Sequence, residues 1–243
     1  MEYTITDIVE SRNEEKKKID KMDVWVYYFV RPLSFYVTYV LMKFKITANQ
    51  ATLISTLVSL LGSALLFTTN RLLTFIGLLI LNLWIVFDCV DGNIARTTKK
   101  SSVYGEFLDG VSGYLYTILL YISLSVNVFL NSSGKNVWLY LVLGSFTSIA
   151  TILPRLIEHK AVNMFNGYNK GVTDKNSYSL FYIVGLNIAG MAGLSNPIMI
   201  VFYLFGILNY YVIFYFIVHV SIAFLTVYKI ISKIKIMELV ENE

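Results

Sequence analysis

The sequence predicts an all-α integral membrane protein with about six transmembrane helices and an N-terminal interfacial amphipathic helix. Three observations carry that expectation. Of 243 residues, 56 % are hydrophobic and only 15 % charged, with a mean hydropathy of +0.62; a soluble domain is about 45–50 % apolar and roughly 25 % charged. Several stretches of about 20 residues carry almost no charge, the length that crosses about 30 Å of hydrocarbon as helix. The basic residues are also distributed unevenly between the connecting segments, as membrane topology demands.

Met1–Met22 is polar and has no apolar core followed by a small-residue cleavage site, so no signal peptide is expected. Val24–Phe44 is apolar and aromatic but interrupted by Arg31-Pro32. It reads as a helix lying in the headgroup layer. After the polar run Lys45–Gln50, spans are expected at about Ala51–Thr69, Leu72–Val90, Phe107–Leu130 and Val137–Leu156. Ser177–Lys229 is long enough for two more, broken near Gly193–Pro197 or near Leu208-Asn209. No internal repeat divides the chain. One six-helix membrane domain is expected over 49–236, between a cytoplasmic N-terminal segment, 1–48, and a cytoplasmic acidic tail, 237–243.

With six spans, eighteen of the twenty Lys/Arg residues fall on the side that holds both termini, leaving Arg71 and Lys135 opposite. The positive-inside rule then makes that side cytoplasmic. The single cysteine, Cys89, excludes an intrachain disulfide, and two distant histidines leave no local His/Cys metal signature. No GxxxxGK run is present, and nothing indicates nucleic-acid binding.

The chemistry is expected in FDCVDGNIARTTKKSSVYGEFLDGVSG, which joins the second and third spans. Asp88 and Asp91 are three apart and share a helical face. Both are expected near the C-terminal end of the second span, where the helix dipole already places negative charge. Two carboxylates at the edge of hydrocarbon need positive charge. Arg96 is one source; one or two hard divalent cations with oxygen ligands are another, with Asp109 a further ligand. A purely structural Asp–Arg–Asp network is the rival. Gly92 and Gly105 either let a ligand approach the backbone or serve close helix packing.

The run Asp88-x-x-Asp91-Gly92-x-x-Ala95-Arg96, then eight residues, then Gly105-x-x-x-Asp109, resembles the signature of the CDP-alcohol phosphotransferases. KITANQATLIS before the first span and the six-span count extend the likeness, with Ala48 where the family often has proline. The resemblance implies a six-helix, commonly dimeric, membrane enzyme of phospholipid or related glycoconjugate synthesis, its polar cavity open to the cytoplasm. An acceptor hydroxyl would attack the β-phosphorus of a CDP-activated donor such as CDP-diacylglycerol, releasing CMP. Carried over by position, Asp88, Asp91 and Asp109 would be ligands of Mg²⁺ or Mn²⁺, with two ions expected. Gly92, Ala95, Arg96 and Gly105 would shape the site for the CDP group. Asp91 and Asp109 would be catalytic through the metal.

The sequence departs from the family pattern at one place. The signature ends with a fourth aspartate, assigned as metal ligand and base, and Gly113 stands there. A positioned base is worth about 10²–10⁴-fold in rate. Glu106, three residues before Asp109, is a candidate base, although members with the fourth aspartate also carry Glu there. The readings are an active enzyme with a cavity enlarged at Gly113, or a catalytically impaired member that binds CDP-donor or lipid without turnover. Arg155 and Lys160, after Pro154, are candidates for the acceptor or headgroup, or else anchor the helix end in the membrane surface. Lys99 and Lys100 read as contacts for lipid headgroups, His159 as an interfacial residue, and His219 as a packing residue.

Overall fold

The computed structural model describes residues 3–165, 168 and 180–241. The described residues are helical, without strands. Four helices are long and apolar enough to cross a membrane: α5 (Arg71–Thr98), α6 (Val103–Asn131), α7 (Leu139–Met164) and the Leu208–Glu238 part of α10 (Leu208–Glu241). The other two expected spans correspond to α4 (Ala48–Ala64), of 17 residues, and to a broken pair, α8 (Leu180–Ala189) and α9 (Ser195–Leu204). Both expected breaks in the last apolar stretch are therefore present. The segment from 177 to 179, where that stretch was expected to begin, lies outside the described residues.

Local chemistry sets the helix starts. Thr47 and Gln50 cap α4 reciprocally, so it begins three residues before the expected Ala51. Asn70 accepts from the Leu72 and Leu73 amides at the start of α5. That helix then runs eight residues past the expected end at Val90, to Lys99, which closes it in the left-handed conformation (φ 55°). The correction matters. Asp88 and Asp91 lie two to three turns before the helix end, so its C-terminal partial charge falls on Ala95–Thr98 rather than on them. α10 likewise continues through Glu238 to Glu241, into the segment expected as a solvated tail.

α4 is the wedge of the fold: α5 and α6 pack extensively on it and scarcely on each other. Its packing face is a stripe of buried small polar residues, Thr52, Ser55, Ser59 and Ser63, beside Gly62. Small residues let membrane helices approach closely. A Cβ on Gly62 would lie 2.9 Å from the Leu81 side chain of α5. Ser55 and Thr56 meet the Ser112 hydroxyl of α6 at 3.2 and 3.0 Å. At the far end, buried Asn127 donates to Leu66 O, Thr68 O and Thr74 Oγ1 and so ties α6 to the α4–α5 turn. Between α5 and α6, Trp84 stacks on Tyr116 with centroids 3.6 Å apart, one turn before Asp88 on α5.

The chain is helical over 24–43, where the interfacial helix Val24–Phe44 is expected, and two short helices precede it. The N-terminal segment folds as α1 (Ile5–Glu10), α2 (Glu14–Met22) and a π-helical turn (Val26–Val30) that runs into α3 (Arg31–Lys43). α3 packs along α5, where Asn93 donates to Ser34 Oγ and Thr38 Oγ1 at 3.3 and 3.1 Å. One face of the π turn and α3 still exposes large apolar residues, among them Tyr28, Phe29, Tyr36 and Phe44, as an interfacial element requires.

Asn196 holds the break between α8 and α9. Its amide donates to Met191 O at 2.7 Å, and its carbonyl oxygen accepts from the buried Tyr116 hydroxyl at 2.8 Å. Asn82 of α5 donates to the Asn196 backbone oxygen, and Tyr211 of α10 to Ser195 O. Unwound backbone at membrane depth needs such partners. Asn196→Ala strands the Tyr116 hydroxyl and the Met191 carbonyl, and is expected to cost about 1–3 kcal/mol. The check is a lowered thermal midpoint in detergent; an unchanged midpoint contradicts this role.

Candidate active site

Asp88, Asp91, Gly92, Ala95 and Arg96 all lie on α5, and Gly105, Glu106 and Asp109 on the first two turns of α6. The connection between the helices is short. After Lys99, the Lys100 amide closes onto Ala95 O at 2.9 Å. Ser102 then caps α6, accepting from Gly105 N at 3.0 Å. That turn points Asp109 back at the two aspartates of α5.

The three helices enclose a small cavity of about 90 Å³. α4 lines it with Ala48, Asn49 and Thr52, α5 with Asp91, Gly92 and Ala95, and α6 with Gly105, Glu106 and Asp109; Lys100, Ser101 and Ser102 close its rim. Five of the seven signature positions thus share one wall. The Asp88 and Asp109 carboxyl groups meet each other. Asp91 is buried, its Oδ2 accepting from Thr52 Oγ1 at 2.6 Å and its Oδ1 from the Gly92 amide. Asp109 and Glu106 are exposed at the mouth.

The glycines divide in their roles. A Cβ on Gly92 would lie 2.9 Å from an Arg96 terminal nitrogen, so the space there is filled by the guanidinium. Arg96 donates from Nη2 to Asn93 Oδ1 at 2.9 Å, while its buried Nε has no partner. At Gly105 a Cβ would meet Asn49 Oδ1 at 3.0 Å, so that glycine lets α6 approach α4. Gly113 is different. It is buried, and a Cβ there would meet only the Met191 methyl, at 3.8 Å.

Other expected residues lie elsewhere. Arg155 does not reach the aspartate pocket. It lines a second cavity of about 420 Å³ between α7, α8 and α10, with His219 and Met191. His219 is hydrogen-bonded to the Tyr121 hydroxyl at 2.5 Å, in keeping with a packing role. Lys160 and His159 are exposed on α7 and line neither cavity. Cys89 is a free cysteine packed against the main core.

Carboxylates are hard oxygen donors of the type that binds Mg²⁺ or Mn²⁺, and no sulfur or imidazole competes in the pocket. The donor chemistry therefore fits a hard divalent ion. Among the described residues, however, no three His/Cys/Asp/Glu side chains converge closely enough to hold one. Asp91 and Asp109 line the pocket, and Asp88 is not among its lining residues.

Sequence reading missed Thr52 and Asn49 as pocket residues. Their signal was the polar spacing of Thr52, Ser55, Ser59 and Ser63 along an otherwise apolar helix, which marks a face turned to something other than lipid.

Fold and site together define a polytopic membrane protein with a carboxylate-walled pocket at one end of three helices. The CDP-alcohol phosphatidyltransferase family model matches residues 45–228, and the chain belongs to that family. Its members transfer phosphate-containing groups and use divalent metals, so the function at family level is phosphoalcohol transfer. A comparison with individual curated proteins finds no match.

Thr52→Val removes the hydroxyl that orients Asp91 while keeping its volume. Loss of a ligand's orienting partner commonly costs about 10–100-fold in activity or metal affinity. Transfer activity is expected to fall in that range with little change in thermal midpoint; unaltered activity would show that Asp91 needs no such partner.

Proposed function

We propose that this protein is an active CDP-alcohol phosphotransferase. It would move a phosphoalcohol group, such as phosphatidyl, from a CDP-activated donor to a hydroxyl acceptor with release of CMP, in phospholipid or related glycoconjugate synthesis. The observation that carries the reading is the single pocket wall that gathers Asp91, Gly92, Ala95, Gly105 and Asp109, with Asp88 meeting Asp109 beside it. A structural Asp–Arg–Asp tie would pair the carboxylates with Arg96. Arg96 instead bonds Asn93 and covers Gly92.

Asp88, Asp91 and Asp109 would hold Mg²⁺ or Mn²⁺, two ions being the expected number. A bound divalent ion supplies Lewis acidity and neutralises charge on the departing CMP. Thr52 orients Asp91 for that role, and the Ser102 cap sets Asp109 opposite it. Ala95 keeps the wall low enough for the CDP group, Gly105 lets α6 close the wall against α4, and Arg96 donates to the donor's phosphates. Positioning and electrostatics of this sort supply most of phosphoryl-transfer catalysis. Glu106 at the mouth is the candidate to take the acceptor's proton. Arg155, set in the second cavity behind Gly113 and Met191, is better placed than the exposed Lys160 to read an acceptor or headgroup. The protein would act as a homodimer in the membrane. Both termini and the site would face the cytoplasm, on the side bearing eighteen of the twenty Lys/Arg.

Gly113 serves this reading as open space for the acceptor. Purified protein with Mg²⁺ or Mn²⁺ and a panel of CDP-activated alcohols and hydroxyl acceptors is expected to release CMP. Chelation or Asp91→Asn should abolish that release. Absence of CMP across the panel, with donor binding intact, would instead identify an impaired member. Gly113→Asp has room for its Cβ and is expected to fold and to lower turnover with the natural acceptor. A sharp rise would show that the wild-type site lacks a base.

A further inference from the structure

The helix ends opposite the aspartates enclose a cavity of about 610 Å³. Arg71 and Leu72 line it from the start of α5, Asn127 and Ser132 from the end of α6, and Phe205 and Asn209 from the α9–α10 turn. Arg71 and Asp88 are about 25 Å apart along α5, at about 1.5 Å per residue. Hydrogen bonds fix the walls. Tyr203 of α9 donates to Arg71 O at 2.7 Å and holds the end of α9 against the start of α5. The three bonds of Asn127 to Leu66 O, Thr68 O and Thr74 Oγ1 hold α6 against the same place. The volume is within the range of about 300–1,000 Å³ common for ligand sites.

Charge at this end is unbalanced. No Asp or Glu occurs in 24–87, 110–157 or 175–237, the stretches that build it, so Arg71 has no carboxylate to pair with. Among the described residues its guanidinium makes neither an ion pair nor a hydrogen bond. Ser132 and Asn209, half-buried in the same cavity, bring a hydroxyl and an amide that no described residue engages. A guanidinium with two neutral donors and no acid beside it is a donor set for an oxyanion. Lys135, the other basic residue expected at this end, is exposed and does not line the cavity.

The rim is apolar. Leu72, Leu204 and Phe205 are 66, 65 and 76 % exposed. A small soluble anion gains nothing from these side chains, whereas acyl chains cover them. Arginines at helix ends lay their stems along hydrocarbon and place the guanidinium among lipid phosphates. We propose that the cavity is a phospholipid site in the leaflet away from the aspartates. Arg71 binds the phosphodiester oxygens, Ser132 and Asn209 donate to them, and Leu72, Leu204 and Phe205 carry the acyl chains. The bound lipid joins the starts of α5 and α10 to the end of α6, and stabilises the folded protein by mass action. It needs no turnover at the aspartate pocket.

The test titrates the full-length protein, in a maltoside detergent, with dioleoyl phosphatidylglycerol and follows the thermal midpoint. The wild-type midpoint is expected to rise with the lipid. Arg71→Gln keeps a polar side chain and loses the charge, and is expected to need about tenfold more lipid for the same rise. Arg71→Lys should keep part of the response and Lys135→Ala all of it. Dioleoylglycerol, without the phosphate, and dimethyl phosphate, without the chains, should each fail to reproduce the rise. A wild type that does not respond overturns the site, as does an equal response in Arg71→Gln or an equal loss in Lys135→Ala. An equal rise with dioleoylglycerol shows that no phosphate is read, and one with dimethyl phosphate that a free anion suffices; either overturns the phospholipid. A response lost in Asp91→Asn and kept in Arg71→Gln puts the lipid at the aspartate pocket and overturns the site as well.

Discussion

Carboxylates set at the edge of apolar helices, Asp88 meeting Asp109 beside the pocket that Asp91 and Asp109 line, are the constraint on which the rest of this structure depends. Asp88, Asp91 and Asp109 would repel one another anywhere, and more strongly beside hydrocarbon than in water. Each neighbouring feature limits that cost. Thr52 and the Gly92 amide satisfy Asp91, Asp109 stays exposed to solvent, and the Asp88 and Asp109 carboxyl groups are hydrogen-bonded to each other. Arg96 bonds Asn93 and Arg31 pairs with Asp20, so neither guanidinium is spent on direct pairing with these carboxylates.

The helix scaffold follows from the same requirement. α5 and α6 must diverge to leave a pocket, so α4 is packed between them along a stripe of small residues, Thr52, Ser55, Ser59, Gly62 and Ser63. Interhelical hydrogen bonds in membranes are individually modest, about 0.6 kcal/mol on average. Here they come as sets, with Ser112 meeting two hydroxyls of α4 and Asn127 serving three acceptors. Their value is in fixing the register of α5 against α6, and hence the distance between Asp88 and Asp109.

Much of this was legible in the sequence. Hydropathy located the long helices, and the spacings of three and four residues placed Asp88 with Asp91 and Gly105 with Asp109. The Asn49–Thr52 wall was not, because hydropathy averages over the polar stripe that forms it. The extension of α5 past Val90 was hidden for the reverse reason: Asp91–Thr98 is polar, yet helix geometry does not stop at the edge of the apolar run. Gly92 reads alike as an opening for ligand or as space for a side chain, and only the position of Arg96 decides. Arg155 follows Pro154 in a basic cluster, but which cavity it lines depends on where α8 and α10 pack, a long-range matter. The docking of α2 is of the same kind, since Asn187 is 165 residues from its acceptor at Met22.

The central claim is that the three aspartates form one divalent-metal site coupled to the CDP group. Titration of the detergent-purified protein with Mn²⁺, followed by electron paramagnetic resonance with and without CDP, tests it most directly. The account predicts Mn²⁺ binding that CDP strengthens, and its loss in both Asp88→Asn and Asp109→Asn. Mn²⁺ binding in the presence of CDP that is unchanged in either variant would contradict it.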